Sequence, residues 1–189
     1  MEHLIAAAGD AERLRGFAEL TGASERDIRR AAEFVAARES ENSFIELNFE
    51  VLGDPPTSKR PRHVHLRGKG GEIVGSRVYA ADGADQRSVR REITRQLPER
   101  FAPFSGEVEI YFQIYRPMLA SWPSYKRLLG EMGYLRPTTR PDWDNYAKLL
   151  TDAMQGVVFR DDGQVVVGSV SMYYSLRPRF EVTVCGRSA

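Results

Sequence analysis

RPDWDNYAKLLTDAMQGVVFRDDGQ, residues 140–164, decides how the rest of the chain is read. Tyr146, Leu149, Leu150, Ala153 and Met154 recur at i, i+3, i+4, i+7 and i+8. That spacing lines one side of an α-helix with apolar side chains, so it predicts a helix packed on a core. Pro141 biases Arg140 toward an extended backbone, and the chain therefore enters this helix from a loop. Gly156 stands where a helix C-cap belongs. Asp144, Lys148 and Asp152 follow at intervals of four on the polar side, and Asp142 lies just before the helix. After it, VVF (157–159) reads as a strand and Asp162-Gly163 as a tight hairpin turn.

Taken singly, these acids have ordinary uses. Asp142 or Asp144 fits a plain N-cap, Asp162-Gly163 a turn, and Asp144 with Lys148 a surface ion pair worth a few tenths of a kcal/mol. Taken together, hard oxygen donors on a loop, a helix start and a nearby turn suit Mg2+, with Mn2+ as the alternative. Lys148, on the same helix side as Asp144, is then placed to steady charge on an attacked phosphate or to orient the attacking water.

Working outward, FIELNFEVL (44–52) alternates with Ile45, Leu47, Phe49 and Val51 on one side, the mark of a half-buried strand. GDPPTSKRPR follows as a turn-rich basic loop, and HVHLRGKGGEIVGSRVYA as paired short strands around Gly70-Gly71. Residues 84–97 read as a helix with Val89, Ile93 and Leu97 inward and Arg87, Arg90, Arg91 and Arg95 elsewhere. GEVEIYFQIYR is another alternating strand, with Val108, Ile110, Phe112 and Ile114 on one side. Residues 117–141 form a long, proline-punctuated connection with a short helix within SYKRLLGEM, and a connection of that length is uncommon unless functional. VVVGSVSMYYSL and FEVTVCG read as a terminal hairpin. Strands dominate after residue 43, with helices between them, which predicts an α+β domain. Residues 10–38 read as helix, turn, helix, with arms at 11–20 and from Ser24 onward, where Ser24 and Asp27 form a capping-box start. This piece resembles DNA-binding helix-turn-helix units and ubiquitin-associated hairpins alike, and a hairpin that simply packs on the main domain fits as well. The expected division is therefore 1–42, an N-terminal helical hairpin, and 43–189, the main domain.

The formal net charge is +1, so charge alone announces no nucleic-acid binder. Residues 1–42 nevertheless carry nine acids and six arginines, a net of −3, which leaves +4 on the rest. The lone cysteine, Cys185, excludes an intrachain disulfide framework and fits a reducing cytoplasm. No apolar stretch approaches the length of a membrane span.

PDWDNYAKLLTDAMQGVVFRDDGQVV resembles the signature of the RusA family of Holliday junction resolvases, and the resemblance extends over roughly 44–186. It implies a mixed β-sheet with two main helices packed on it and a homodimeric Mg2+-dependent endodeoxyribonuclease. Such an enzyme resolves four-way junctions by paired symmetric nicks. The family's metal-binding carboxylates fall on Asp142, Asp144 and Asp162, and its essential lysine on Lys148. Asp161 is adjacent, and Asp152 matches an acid of the family pattern but reads as structural, pairing or capping. Trp143 and Tyr146 stand where the family carries small aliphatics, and both are compatible with a buried helix. Phosphate contacts are expected from Lys59, Arg60, Arg62, Arg67, Lys69 and Arg140, with the arginine side of 84–97 and Lys126, Arg127 and Arg136 as further candidates. His63 and His65 read as generic surface histidines, and Trp122 as either a base-stacking residue or a loop anchor. Two alternatives remain open at this level: a metal-dependent nuclease for other branched DNA, and a non-catalytic junction-binding protein whose residues 1–42 engage DNA or a protein.

Overall fold

The computed structural model describes residues 23–40, 44–58, 62–79 and 83–187, and the chain divides into compact units of residues 1–43 and 44–189. In the first unit, α1 (Glu25–Ser40) starts from a reciprocal cap. Ser24 N and Oγ donate to Asp27 Oδ2 at 3.0 and 2.6 Å, and Asp27 N donates back to Ser24 Oγ at 3.3 Å. Ile28, Ala31 and Val35 are half-buried, whereas Ala32 is exposed. The expected first arm of the hairpin, 11–20, lies outside the described residues.

The second unit is α+β. Its strands are β1 (Phe44–Leu52), β2 (Arg62–Arg67), β3 (Ile73–Tyr79), β4 (Val108–Pro117), β5 (Val165–Ser175) and β6 (Arg179–Arg187). Its helices are α2 (Gly83–Gln96), α3 (Ser124–Glu131) and α4 (Trp143–Met154). The main sheet runs β1–β6–β4–β5, with β4 parallel to β5 and antiparallel to β6, and β1 antiparallel to β6. Alternation along β1, β4 and β6 turns Leu47, Phe49, Val108, Ile110, Phe112, Ile114, Phe180, Val182 and Val184 into one core. Val89 and Ile93 of α2 and the predicted stripe of α4 close over it, with Tyr146 and Leu150 exposed by 2% or less. Gly186 on β6 leaves room for the Phe104 ring, since a Cβ there would stand 2.6 Å from it. β2 and β3 form a separate hairpin whose turn uses Gly71 at φ 86°. Among the described residues, no helix is long and apolar enough to cross a membrane.

Three local expectations are overturned. β5 and β6 are not a hairpin, because β4 lies between them and pairs with both. Residues 157–159 form a turn rather than a strand: Val157 N and Val158 N donate to the Met154 carbonyl at 3.0 and 2.8 Å. Asp162–Gln164 is a single 3-10 turn, not the tip of a hairpin.

Candidate functional site

The start of α4 is held from two sides. Arg116, half-buried at the end of β4, donates from Nη1 to the Thr139 carbonyl at 2.8 Å and from Nη2 to the Arg140 carbonyl at 2.9 Å. Its planar guanidinium thus fixes the loop two residues ahead of Asp142. Ser58 N donates to the Asn145 carbonyl at 3.0 Å, which pins the GDPPTS loop against the first turn of the helix. Lys59 follows that contact directly in sequence.

Asp142 occupies the N-cap position of α4 with an extended backbone, yet its side chain makes no capping hydrogen bond. The ordinary use of this residue is therefore absent. Asp144 sits in the first turn, where the helix dipole favours a carboxylate. Both side chains are exposed and make no hydrogen bond or ion pair with a described residue. They line a groove of about 480 Å3 together with Pro137, Thr138, Thr139, Pro141, Trp143 and Met172.

Asp162 lies elsewhere. Its neighbour Asp161 accepts from Gln155 Nε2 at 3.3 Å, at the C-terminal end of the same helix. The twelve residues of α4 span about 18 Å, which sets the turn carrying Asp162 toward the opposite end of the helix from Asp142 and Asp144. Consistently, no group of three or more His, Cys, Asp or Glu side chains is gathered for a metal among the described residues. Asp161 serves the backbone instead. Its carboxylate accepts from Gly163 N at 2.9 Å as the cap of the 3-10 turn. Gln164 completes that capping box and ties the turn to the Phe104 and Gly106 carbonyls at 3.0 and 2.6 Å. Asp162 stays exposed, and its carboxylate has no partner among the described residues.

Lys148 points along α4 to Asp152, at 3.4 Å, rather than to Asp144. An exposed pair of this kind holds its partners weakly. Tyr146 lies beneath the site. Burial pushes its hydroxyl pKa up, the Arg116 charge opposes that shift, and Asp54 adds to it.

Several expected DNA contacts are engaged within the fold. Arg90 donates to the Ala153 and Gln155 carbonyls at 3.1 and 2.6 Å and so caps the end of α4. Arg136 lies 3.8 Å from the Tyr173 ring and donates to the Met172 carbonyl. Trp122 packs edge-on against Tyr174 under the Lys126 ammonium, which makes it a loop anchor. Arg67 ties its own hairpin turn through the Gly71 carbonyl at 3.0 Å. Lys69 and Arg140 are exposed. Lys59 and Arg60 lie outside the described residues, as do the side chains of Arg62, His63 and His65.

Sequence reasoning missed Arg116, because nothing local marks an arginine that bonds residues 23 and 24 positions away. It also read Trp143 as a helix-packing residue, whereas the indole is 60% exposed on the groove.

The family model described as "Endodeoxyribonuclease RusA" matches residues 53–185. The chain belongs to the RusA family. It is 35% identical over 144 residues to the "Uncharacterized protein YqaN" of Bacillus subtilis (strain 168), which covers 73% of this chain and 94% of that protein. The RusA match takes in the Asp54–Ser58 loop, Arg116, all of α4 and the 3-10 turn, so every residue of the candidate site falls within it. The family is one of endodeoxyribonucleases, and branched DNA is the substrate class that membership points to.

Proposed function

We propose that this chain is an Mg2+-dependent, structure-selective endodeoxyribonuclease that resolves four-way DNA junctions as a homodimer. The observation that carries this reading is the pair of neighbouring carboxylates at the start of α4. Asp142 and Asp144 are exposed and free of hydrogen bonds to described residues, in a RusA-family chain. Two hard oxygen donors beside an open groove fit a cation that takes few protein ligands and keeps its waters. When bound there, such an ion polarises a phosphodiester and lowers the pKa of an attacking water.

The chain's own groups do the positioning. Arg116 holds the loop that carries Asp142. Lys148 is one helical turn from Asp144, and its weak pair with Asp152 lets it turn toward a phosphate. Arg140 and Lys69, with Lys59 and Arg60 of the basic stretch and Arg62 and Arg67 of the hairpin, supply phosphate contacts. The resemblance assigns Asp162 to the same ion; the Asp161–Gln155 contact at the far end of α4 supports the reading that Asp162 joins it from a second copy of the chain.

The test is cleavage of a labelled four-way junction with and without Mg2+, beside a linear duplex of the same sequence and the Asp144→Asn protein. Symmetric nicks on the junction alone, abolished by chelation and by the substitution, are expected. Tight junction binding without cleavage in either Mg2+ or Mn2+ would replace the nuclease with a junction-binding protein.

A further inference from the structure

The chain has two tryptophans, and the structure uses them in opposite ways. Trp122 is half-buried, with its ring centroid 4.8 Å from that of Tyr174 and the Lys126 ammonium 4.6 Å from its own. Trp143 is 60% exposed, and its ring and indole N–H have no stacking, cation or hydrogen-bond partner among the described residues. Burying a tryptophan is among the largest apolar gains a fold can make, and α4 has a well-formed stripe that omits this one. Trp143 is instead the residue between Asp142 and Asp144, and it forms a wall of their groove together with Pro137, Pro141 and Met172.

From this placement, and on the nuclease reading above, we infer that Trp143 stacks on an unstacked nucleobase adjacent to the scissile phosphate. A backbone phosphate held over the two carboxylates carries its own base within reach of the flanking side chain. A base inside an intact duplex is already stacked on its neighbours and has no free face to offer. A base at a branch point has one, and aromatic stacking accepts any of the four bases. Trp143 therefore distinguishes branched from fully paired DNA without reading sequence.

Intrinsic fluorescence tests this directly, because the probe is the residue itself. Wild type and Trp143→Phe are titrated in metal-free buffer with a four-way junction and with a linear duplex, while gel shifts report binding separately. Junction binding is expected to quench emission in the wild type, with little quenching by bound duplex and little by either DNA in Trp143→Phe. In cleavage assays Trp143→Leu is expected to raise KM for the junction about tenfold with kcat nearly unchanged, and Trp143→Phe to recover most of the loss. Melting temperatures should stay close to wild type because the ring is exposed. Junction binding with unchanged emission would overturn the inference and leave the nuclease reading intact. So would equal quenching by the duplex, or wild-type cleavage by Trp143→Leu. A protein that neither binds nor cuts any branched DNA would overturn both.

Discussion

Arg116 Nη2 donates to the carbonyl oxygen of Arg140 at 2.9 Å, while Nη1 of the same guanidinium holds the Thr139 carbonyl. The end of a core strand is thereby bolted to the loop that delivers Asp142. Arg116→Ala is expected to lower kcat on a junction by about a hundredfold through misplacement of that carboxylate. KM should change much less, and stability should fall by about 1–3 kcal/mol. Arg116→Lys keeps the charge but loses the planar fork, so it should recover only a minor part of kcat. Steady-state kinetics with parallel thermal melts separate these effects. A fall in stability with unchanged kcat would reduce Arg116 to a packing residue.

The separation of Asp142 from Asp162 along α4 gives a second expectation. Each single variant, Asp142→Asn or Asp162→Asn, should be inactive alone. Mixed in equal amounts after subunit exchange, they should regain nicking at about a quarter of the wild-type rate. Half of the dimers are then hybrids, and each hybrid assembles one complete site. The regained products should be single nicks, not paired ones. A mixture as dead as its components would place all the carboxylates of a site on one chain.

Gly186 provides a stability test remote from the chemistry. A methyl there meets the buried Phe104 ring at 2.6 Å, so Gly186→Ala should cost about 1–3 kcal/mol, read as a lower midpoint in urea. Gly75→Ala is the control. Its Cβ would touch only the end of Leu66 at 3.7 Å, an ordinary contact, and its effect should be small.

The Ser24–Asp27 cap predicts an acid-sensitive start to α1. The hydrogen bonds from Ser24, first from its side chain and then from its backbone, lower the Asp27 pKa below its ordinary 3.8. With the folded value depressed, the cap's contribution is fully present above pH 3.8. It is lost as pH falls through the folded value. NMR titration of Asp27 should show the depressed value in the wild type and a return toward 3.8 in Ser24→Ala. Identical titration in both proteins would remove the cap.

What could be read from the chain follows the range of the forces involved. The α4 stripe, the alternation in β1 and β4 and the helix within 124–131 are all written in a few consecutive residues, and all are present. Gly156 has the positive φ of 76°, but Gln155 is the C-cap and Gly156 N donates to the Phe159 carbonyl in the turn beyond it. Alternation states which face of a strand is buried but not which strand lies beside it. VVVGSVSMYYSL and FEVTVCG therefore looked like partners when β4 stands between them. VVF is apolar enough for a strand, but Val158 and Phe159 reach the core from a turn that the Met154 carbonyl closes. At the site, sequence could identify the acids but not how they are used. Asp161 and Asp162 look alike in the chain, yet one caps a turn and the other does not. Only geometry shows that the cap position of Asp142 goes unused.

β6, the last strand, is the seam of the main sheet: β1 pairs with it from Phe44↔Arg187 to Leu52↔Arg179, and β4 lies along its other edge. A ribosome must therefore expose everything from β1 through β6 before β1 acquires its strand partner among the described strands. A nascent chain that has already extruded both acidic stretches still lacks the strand that joins its two halves. Loss of β6 would unfasten the domain rather than shorten it.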